Sequence, residues 1–274
     1  MDEQEQKLIL TSVFGDSSSE TEAEDICNSI SVVEKNPNWD RVKEIEGLWL
    51  CQDFLSPERQ ALLLSSIERE GWFTTASHNQ AMRFGDLPEW AIELSSFIRE
   101  AICCNDGFYP DLCEDPTTYQ DKAKACPLSL ELLWREPLFD QLIVNVYQPG
   151  EGICAHVDLM RFDDGIAIVS LESACVMRFT RVKSEACDSE DGEFKEEGSH
   201  MMMVPVFLPP GSLVLMSGEA RYLWKHEINR KPGFQVWEGH EINQRRRTSV
   251  TLRKLCQPNA CLLASGTTGE QKSE

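Results

Sequence analysis

The sequence predicts an α+β domain whose second half is a β-sandwich or barrel, and three observations predict it. Helical periodicity is confined to the first half, where apolar residues recur every three or four positions. From Asp140 onward the period becomes that of strands, in short apolar or alternating segments. Pro149-Gly150, Pro209-Pro210-Gly211 and Ser217-Gly218 punctuate those segments as turns. A chain of 274 residues is long enough to bury a proper core around such a sheet pair.

Residues 1–46 read as an acidic tail, since the run Asp16 to Asp25 is too polar to bury the apolar surface that ordering requires. Folded structure is expected from about residue 47, where Leu48, Trp49, Leu50 and Phe54 give a short strand signal. Ser56-Pro57-Glu58 then starts a helix, with Ser as cap and Pro in the first turn. Leu63, Leu64 and Ile67 share its apolar face, and Gly71 ends it. Residues 72–88 lack a sustained period and read as a loop or short hairpin. A second helix follows from Trp90 to Ile102, with Trp90, Leu94, Phe97, Ile98 and Ala101 on one stripe. Residues 103–127 read as a long Cys-, Asp- and Pro-rich connection. The strand-like segments are 141–147, 166–171, 174–182, 204–208, 212–216, 221–228 and 247–253, with an acidic insertion at 183–199 and a carboxyl-terminal tail from 257.

Composition narrows the function classes. No apolar run approaches the ~18 residues of a membrane span, and the acidic amino terminus suits neither a secretion signal nor a transit peptide. A cytoplasmic or nuclear monomer is expected, without a membrane partner. The eleven cysteines are odd in number and lack Cys-x-x-Cys spacing, so they read as reduced thiols. The net charge of -20 opposes nucleic acid at first sight. Residues 1–46, however, hold 12 acids against 4 bases and residues 183–198 hold 7 against 2, so 13 of those net charges sit in two peripheral segments.

The chemistry centres on His156-x-Asp158. Side chains at i and i+2 of an extended segment share a face, so this imidazole and carboxylate can converge on one cation. Among the other histidines, His78, His200 and His240 lie in loops or beside the acidic insertion. Only His226 lies within a strand pattern next to a glycine turn. Two His and one carboxylate suit an octahedral iron with three open positions, and a zinc hydrolase could use the same residues. In the last strand Arg247, Ser249, Thr251 and Arg253 share one face by the period of two. Two arginines there are costly to bury unpaired, yet guanidinium groups suit bidentate carboxylate binding, as of a dicarboxylate.

Asn145-x-Tyr147-x-Pro149-Gly150 before His156-x-Asp158, then Ser217-Gly218-Glu219-Ala220-Arg221-Tyr222 before His226, then Arg247 and Arg253, resemble in this order the AlkB-like Fe(II)- and 2-oxoglutarate-dependent dioxygenases. The resemblance covers about residues 47–255. It implies a double-stranded β-helix core of the jelly-roll or cupin type with supporting amino-terminal helices. It further implies Fe(II) on His156, Asp158 and His226, and 2-oxoglutarate on Asn145, Tyr147, Arg247 and Arg253. With O2, such an enzyme converts 2-oxoglutarate to succinate and CO2 while hydroxylating, or oxidatively demethylating, a nucleic-acid base.

In the family the segment equivalent to 72–90 forms a substrate lid. Its Met82-Arg83-Phe84-Gly85 offers Arg83 to a phosphate and Phe84 to a base. The base-repair members carry an acid where this chain has Met160, followed by Arg161. The motif pattern is closer to members acting on tRNA wobble uridine, whose RNA-recognition and methyltransferase domains this chain has no room for. RNA is therefore the expected substrate ahead of DNA. The alternatives are the same chemistry on a protein side chain and a catalytically idle interaction module.

Overall fold

Two antiparallel sheets face each other, and which residues form them follows from the alternation of the strands. The computed structural model describes residues 37–75, 77–104, 126–182 and 202–256. The tail up to residue 36, most of the 103–127 connection, the 183–199 insertion and the segment from 257 lie outside the described residues.

The larger sheet has the order β1-β2-β9-β6-β13-β4-β3, formed by Trp39–Arg41 (β1), Leu48–Cys51 (β2), Gln80–Phe84 (β3), Gln141–Tyr147 (β4), Ile166–Leu171 (β6), Leu213–Met216 (β9) and Arg247–Arg253 (β13). The smaller sheet has the order β5-β10-β7-β8, from Ile153–His156 (β5), Cys175–Arg181 (β7), Met203–Leu208 (β8) and Trp224–Ile228 (β10). Val236–Trp237 (β11) and His240–Glu241 (β12) form a separate hairpin. Between the sheets lies one apolar cluster that includes Leu48, Leu50, Ile168 and Val214 from the first and Met177, Phe179, Val206, Trp224 and Ile228 from the second. This is the expected double-stranded β-helix.

Helix α1, Pro57–Arg69, begins where Ser56 Oγ accepts from the Arg59 amide and Pro57 occupies the first turn. Its buried residues are Leu63 and Ile67. Helix α2, Glu89–Cys103, buries Ala91, Leu94, Phe97, Ile98 and Ala101 on one stripe. Phe97 packs on Phe54 with ring centroids 5.0 Å apart. Both faces of β4, β6, β9 and β13 are largely buried, so the large sheet needs a covering layer, and these two stripes supply apolar surface for it. A third short helix, α3, spans Leu130–Leu133. No described helix is long and apolar enough to cross a membrane.

Three elements depart from expectation. Order begins inside residues 1–46: β1 pairs with β2, Trp39 donates from its indole to the Ala101 carbonyl at 3.1 Å, and Ile45 is fully buried. The acidity averaged over that stretch conceals these few apolar anchors. Residues 80–84, read as loop or hairpin, form the edge strand β3; four of the five are exposed, so they carry no hydrophobic period, and pairing with β4 makes the strand. In the 221–228 segment only the second part is strand. Gly218, at φ +53°, leads into the one-turn helix α4, Glu219–Tyr222, and β10 starts at Trp224.

The pairing of β5 with β10 sets His156 directly opposite His226, with a register shift between His226 and Ile228. Gly152 makes that close approach possible, because a Cβ on it would stand 1.8 Å from the Ile228 carbonyl oxygen. Gly152→Ala is expected to lower unfolding free energy by about 2 kcal/mol or more. Gly150→Ala meets no neighbour and suffers only its φ of +85°, costing about 1 kcal/mol. Urea unfolding of the two variants checks the order.

Candidate active site

The two strands β5 and β10 and the loop after β5 deliver three donor groups to one point. His156, Asp158 and His226 present ligand atoms within 4.8 Å of one another. The two imidazole centroids are 4.3 Å apart, and His226 Nε2 lies 3.7 Å from Asp158 Oδ2. His156 Nδ1 lies 2.8 Å from the Cys154 carbonyl oxygen. A carbonyl only accepts, so Nδ1 carries the proton and Nε2 keeps its lone pair for a ligand. Among the other histidines, His78 and His240 are exposed, and His200 lies outside the described residues.

Burial pushes His226 down to about 4, against the pull of the Asp158 charge and with further lowering from His156, Arg253 and Arg221. At neutral pH it is therefore an uncharged donor, and its approach to Asp158 is not an ion pair. Two imidazoles and one carboxylate are a donor set that fits a divalent cation with positions left open.

Arginines surround this set. Arg253 Nη2 lies 2.6 Å from Asp158 Oδ1, so it grips the carboxylate oxygen other than the one nearest His226. The sequence placed Arg253 on the cosubstrate; the contact present in the structure is to Asp158. Arg221, fully buried in α4, donates to the carbonyls of Asp158 (3.0 Å), Leu159 (2.8 Å) and Phe162 (2.9 Å). It thereby shapes the loop that carries the carboxylate.

Strand β13 faces the interior with Arg247, Ser249, Thr251 and Arg253, opposite Tyr147, Asn145, Ile143 and Gln141 of β4. Arg247 is 1% exposed and lies 5.6 Å from the Tyr147 ring centroid. Its Nη2 donates to Ser170 Oγ at 2.8 Å, and its Nε has no partner. Among the described residues it has no carboxylate partner. A second buried guanidinium, Arg230, stands close enough to be pushed below its usual value first by burial and then by the Arg247 charge. Arg230 donates to the carbonyls of Gln148 (3.2 Å) and Arg245 (2.6 Å), tying the turn after β4 to the entry of β13. Burial likewise raises the Tyr147 phenol, with Arg247, Arg230 and Arg253 pulling it back. An interior with this much uncompensated positive charge suits a dicarboxylate. Asn145 accepts from Gln80 Nε2 at 2.7 Å, which joins the edge strand to the site.

Register divides the expected lid pair. Gln80, Met82 and Phe84 sit opposite Asn145, Ile143 and Gln141, on the face that looks inward, while Arg83 sits opposite Leu142 on the other face. Arg83 rests 4.6 Å from the Trp72 ring centroid and donates to the Met82 carbonyl. Phe84 stays on the site face, with Arg161 5.4 Å from its ring centroid. Arg83 and Phe84 therefore cannot both line one cavity.

Sequence reasoning missed Arg221 and Arg230 as site residues. Arg221 lies within the Ser217–Tyr222 motif, which by itself assigns it no role, and Arg230 lies in Asn-Arg-Lys-Pro-Gly, outside every motif.

Residues 47–253 match the model of the 2OG-Fe(II) oxygenase superfamily. The chain is 30% identical to the "Alkylated DNA repair protein ALKBH8 homolog" of Arabidopsis thaliana, over 86% of this chain and 64% of that protein. It is also 30% identical to the "tRNA (carboxymethyluridine(34)-5-O)-methyltransferase alkbh8" of Xenopus tropicalis, over 76% of this chain and 32% of that protein. The chain thus spans between about a third and two thirds of these relatives. A solved structure of OsALKBH1 superimposes with a TM-score of 0.50 at 14% identity, covering 79% of this chain and all of that one, which supports the fold.

The state of His226 has a consequence for metal-free protein. Above pH 6.5 the group is neutral folded and unfolded; below it the unfolded chain takes up a proton that the folded one refuses until about pH 4. Stability is therefore expected to fall as pH drops through that window, by roughly 3 kcal/mol in all. Urea titrations across the window measure the loss, and His226→Gln should flatten the slope.

Proposed function

The chain belongs to the 2OG-Fe(II) oxygenase superfamily, and from that premise we propose that it hydroxylates or oxidatively demethylates a base in RNA, with tRNA ahead of mRNA and DNA. The enzyme uses Fe(II), 2-oxoglutarate and O2. The observation that carries the reading is the convergence of His156, Asp158 and His226, with Arg253 on the carboxylate and, on the same face of β13, a buried Arg247 with no acidic partner among the described residues.

In this reading His156, Asp158 and His226 hold the iron. Once bound, the iron with 2-oxoglutarate and O2 supplies an oxidative decarboxylation, giving succinate and CO2 and placing one oxygen atom in a substrate C–H bond. If that carbon is attached to nitrogen, the hydroxylated product releases formaldehyde. The protein's own part is placement. Arg253 fixes Asp158 by one oxygen so that the other is free to bind metal. Arg221 holds the backbone on either side of that carboxylate. Arg247, with Tyr147 and Asn145 on the neighbouring strand, receives the cosubstrate, and Arg230 keeps the two strand ends together beside it. The buried walls around His226, among them Phe179 with its ring centroid 6.0 Å away, keep bulk water from the reacting groups.

A base in RNA is favoured by the Xenopus tropicalis relative, which is named a tRNA methyltransferase, whereas the Arabidopsis thaliana relative is named for alkylated DNA repair. Met160 stands two places past Asp158 and is 66% exposed. An uncharged thioether there offers no counter-ion to a cationic alkylated base, which favours a neutral one.

Full-length protein with Fe(II), ascorbate and 2-oxoglutarate is expected to form succinate, and His156→Ala to reduce it at least about a hundredfold. Nucleoside mass spectrometry after incubation with bulk tRNA, mRNA and DNA checks the substrate. A new or lost modified nucleoside confined to RNA supports the reading; no change in any pool, with succinate still formed, moves the substrate to a protein side chain.

A further inference from the structure

The loop that follows Asp158 carries a group for which the chemistry derived above has no use. Arg161 is exposed, yet its guanidinium lies 5.4 Å from the ring centroid of Phe84 on the edge strand and 4.9 Å from that of Phe162. Phe162 is 2% exposed and also carries Arg253, 4.8 Å from its centroid. Arg161 therefore stands one ring away from the arginine that grips Asp158.

Three features separate this from an ordinary surface arginine. First, the backbone is fixed: the Phe162 amide donates to the Leu159 carbonyl, Cys256 N donates to the Arg161 carbonyl at 2.9 Å, and Phe162 bridges to Leu255. Secondly, Arg161 has no carboxylate partner among the described residues, in a chain where acids outnumber bases 46 to 26. Thirdly, exposed apolar side chains adjoin it: Phe84 across on β3, and Leu159 and Met160 just before it in the chain. A cation within cation–π reach of two aromatic rings, beside exposed apolar side chains and three residues from Asp158, matches a nucleotide: an anionic phosphate next to a planar apolar base.

Resting on the RNA reading above, we propose that Arg161 is the phosphate-binding residue of the substrate rim, taking the phosphodiester beside the target base while Phe84 and Met160 meet the base itself. It fills the role that the sequence gave to Arg83, which the register of β3 turns to the opposite face. Holding the guanidinium on two rings reduces the rotamer freedom lost on binding, so the contact is made at low entropic cost.

The test is fluorescence anisotropy with metal-loaded, full-length protein and 2-oxoglutarate under nitrogen, using a labelled single-stranded RNA oligonucleotide of mixed sequence, its DNA counterpart and an acidic peptide. Arg161→Gln should weaken RNA binding about tenfold, the loss of a charged hydrogen bond. It should also lower the slope of log affinity against log salt by about 0.7, one phosphate contact on a single strand. Arg161→Lys should keep the slope and lose part of the affinity, since it keeps the charge but not the planar stack. Melting temperatures identify a variant that fails to fold, and the lysine variant then carries the test. Unchanged RNA affinity and slope in Arg161→Gln would mean that the residue only staples the edge strand, and the inference falls. Binding of the peptide with no binding of either oligonucleotide also overturns it. Succinate formation by the wild type is read separately, so the oxygenase reading stands or falls on its own result.

Discussion

Charge balance in a dry interior is the constraint on which the site end of this fold depends. Arg221, Arg230 and Arg247 are each 1% exposed and the Arg253 side chain 12%, yet the carboxylate buried among them is Asp158. Taking a guanidinium out of water costs several kcal/mol unless its donors are met, and the chain meets each in a different way. Arg221 and Arg230 spend their donors on backbone carbonyls, Arg253 spends one on Asp158, and Arg247 finds one serine. Each carbonyl so used belongs to a loop or strand end that would otherwise be free to shift, so solving the charge problem also fixes the shape. The Nε of all four is left without a partner among the described residues, and Arg247, with one serine hydroxyl on its guanidinium, is the one best placed to take a dicarboxylate.

Antiparallel register delivers those groups to one place. His156 and His226 are direct cross-strand partners, and Arg247 and Arg253 fall on one face because six residues is an even number of strand steps. A one-residue slip of β13 would turn both arginines into the outer apolar layer and bring Thr248, Val250 and Leu252 inside. Val250 and Leu252, fully buried on the face opposite the arginines, resist that slip, since it would turn them into the polar interior. Packing thus holds a polar constellation that could not hold itself together.

How much of this was legible in the sequence depends on whether a residue's role is fixed by its own strand or by distant chain. The even spacing of Arg247 and Arg253 needs only the period of two, and β4, β6 and β13 have the bounds expected for them, whereas Asp158 lies in the loop after β5, held by Arg253 and Arg221 rather than by strand alternation. Arg230 was not legible because its partners, the Gln148 and Arg245 carbonyls, are backbone atoms and leave no pattern in the residue types. The separation of Arg83 from Phe84 follows from alternation alone, yet it could be applied only once residues 80–84 were seen to be a strand. That strand exists through its pairing with β4, not through any burial of its own. Edge strands and backbone-bound arginines are where local signals are weakest.

A net charge of -20 opposes the RNA substrate proposed above only at long range, since the overall charge and the rim contacts act over different distances. At physiological salt the Debye length is about 8 Å, so exposed acids farther away than this hardly alter the potential at the rim. In the proposal above Arg161 acts within hydrogen-bonding reach, where its field is scarcely screened. The acidity would instead be felt during approach, slowing encounter with RNA rather than steering it. Affinity must then come from short contacts made after encounter, which favours rigid, pre-placed groups over a diffuse basic surface. An arginine stacked on two phenylalanines, with its backbone pinned to the end of β13, is such a group.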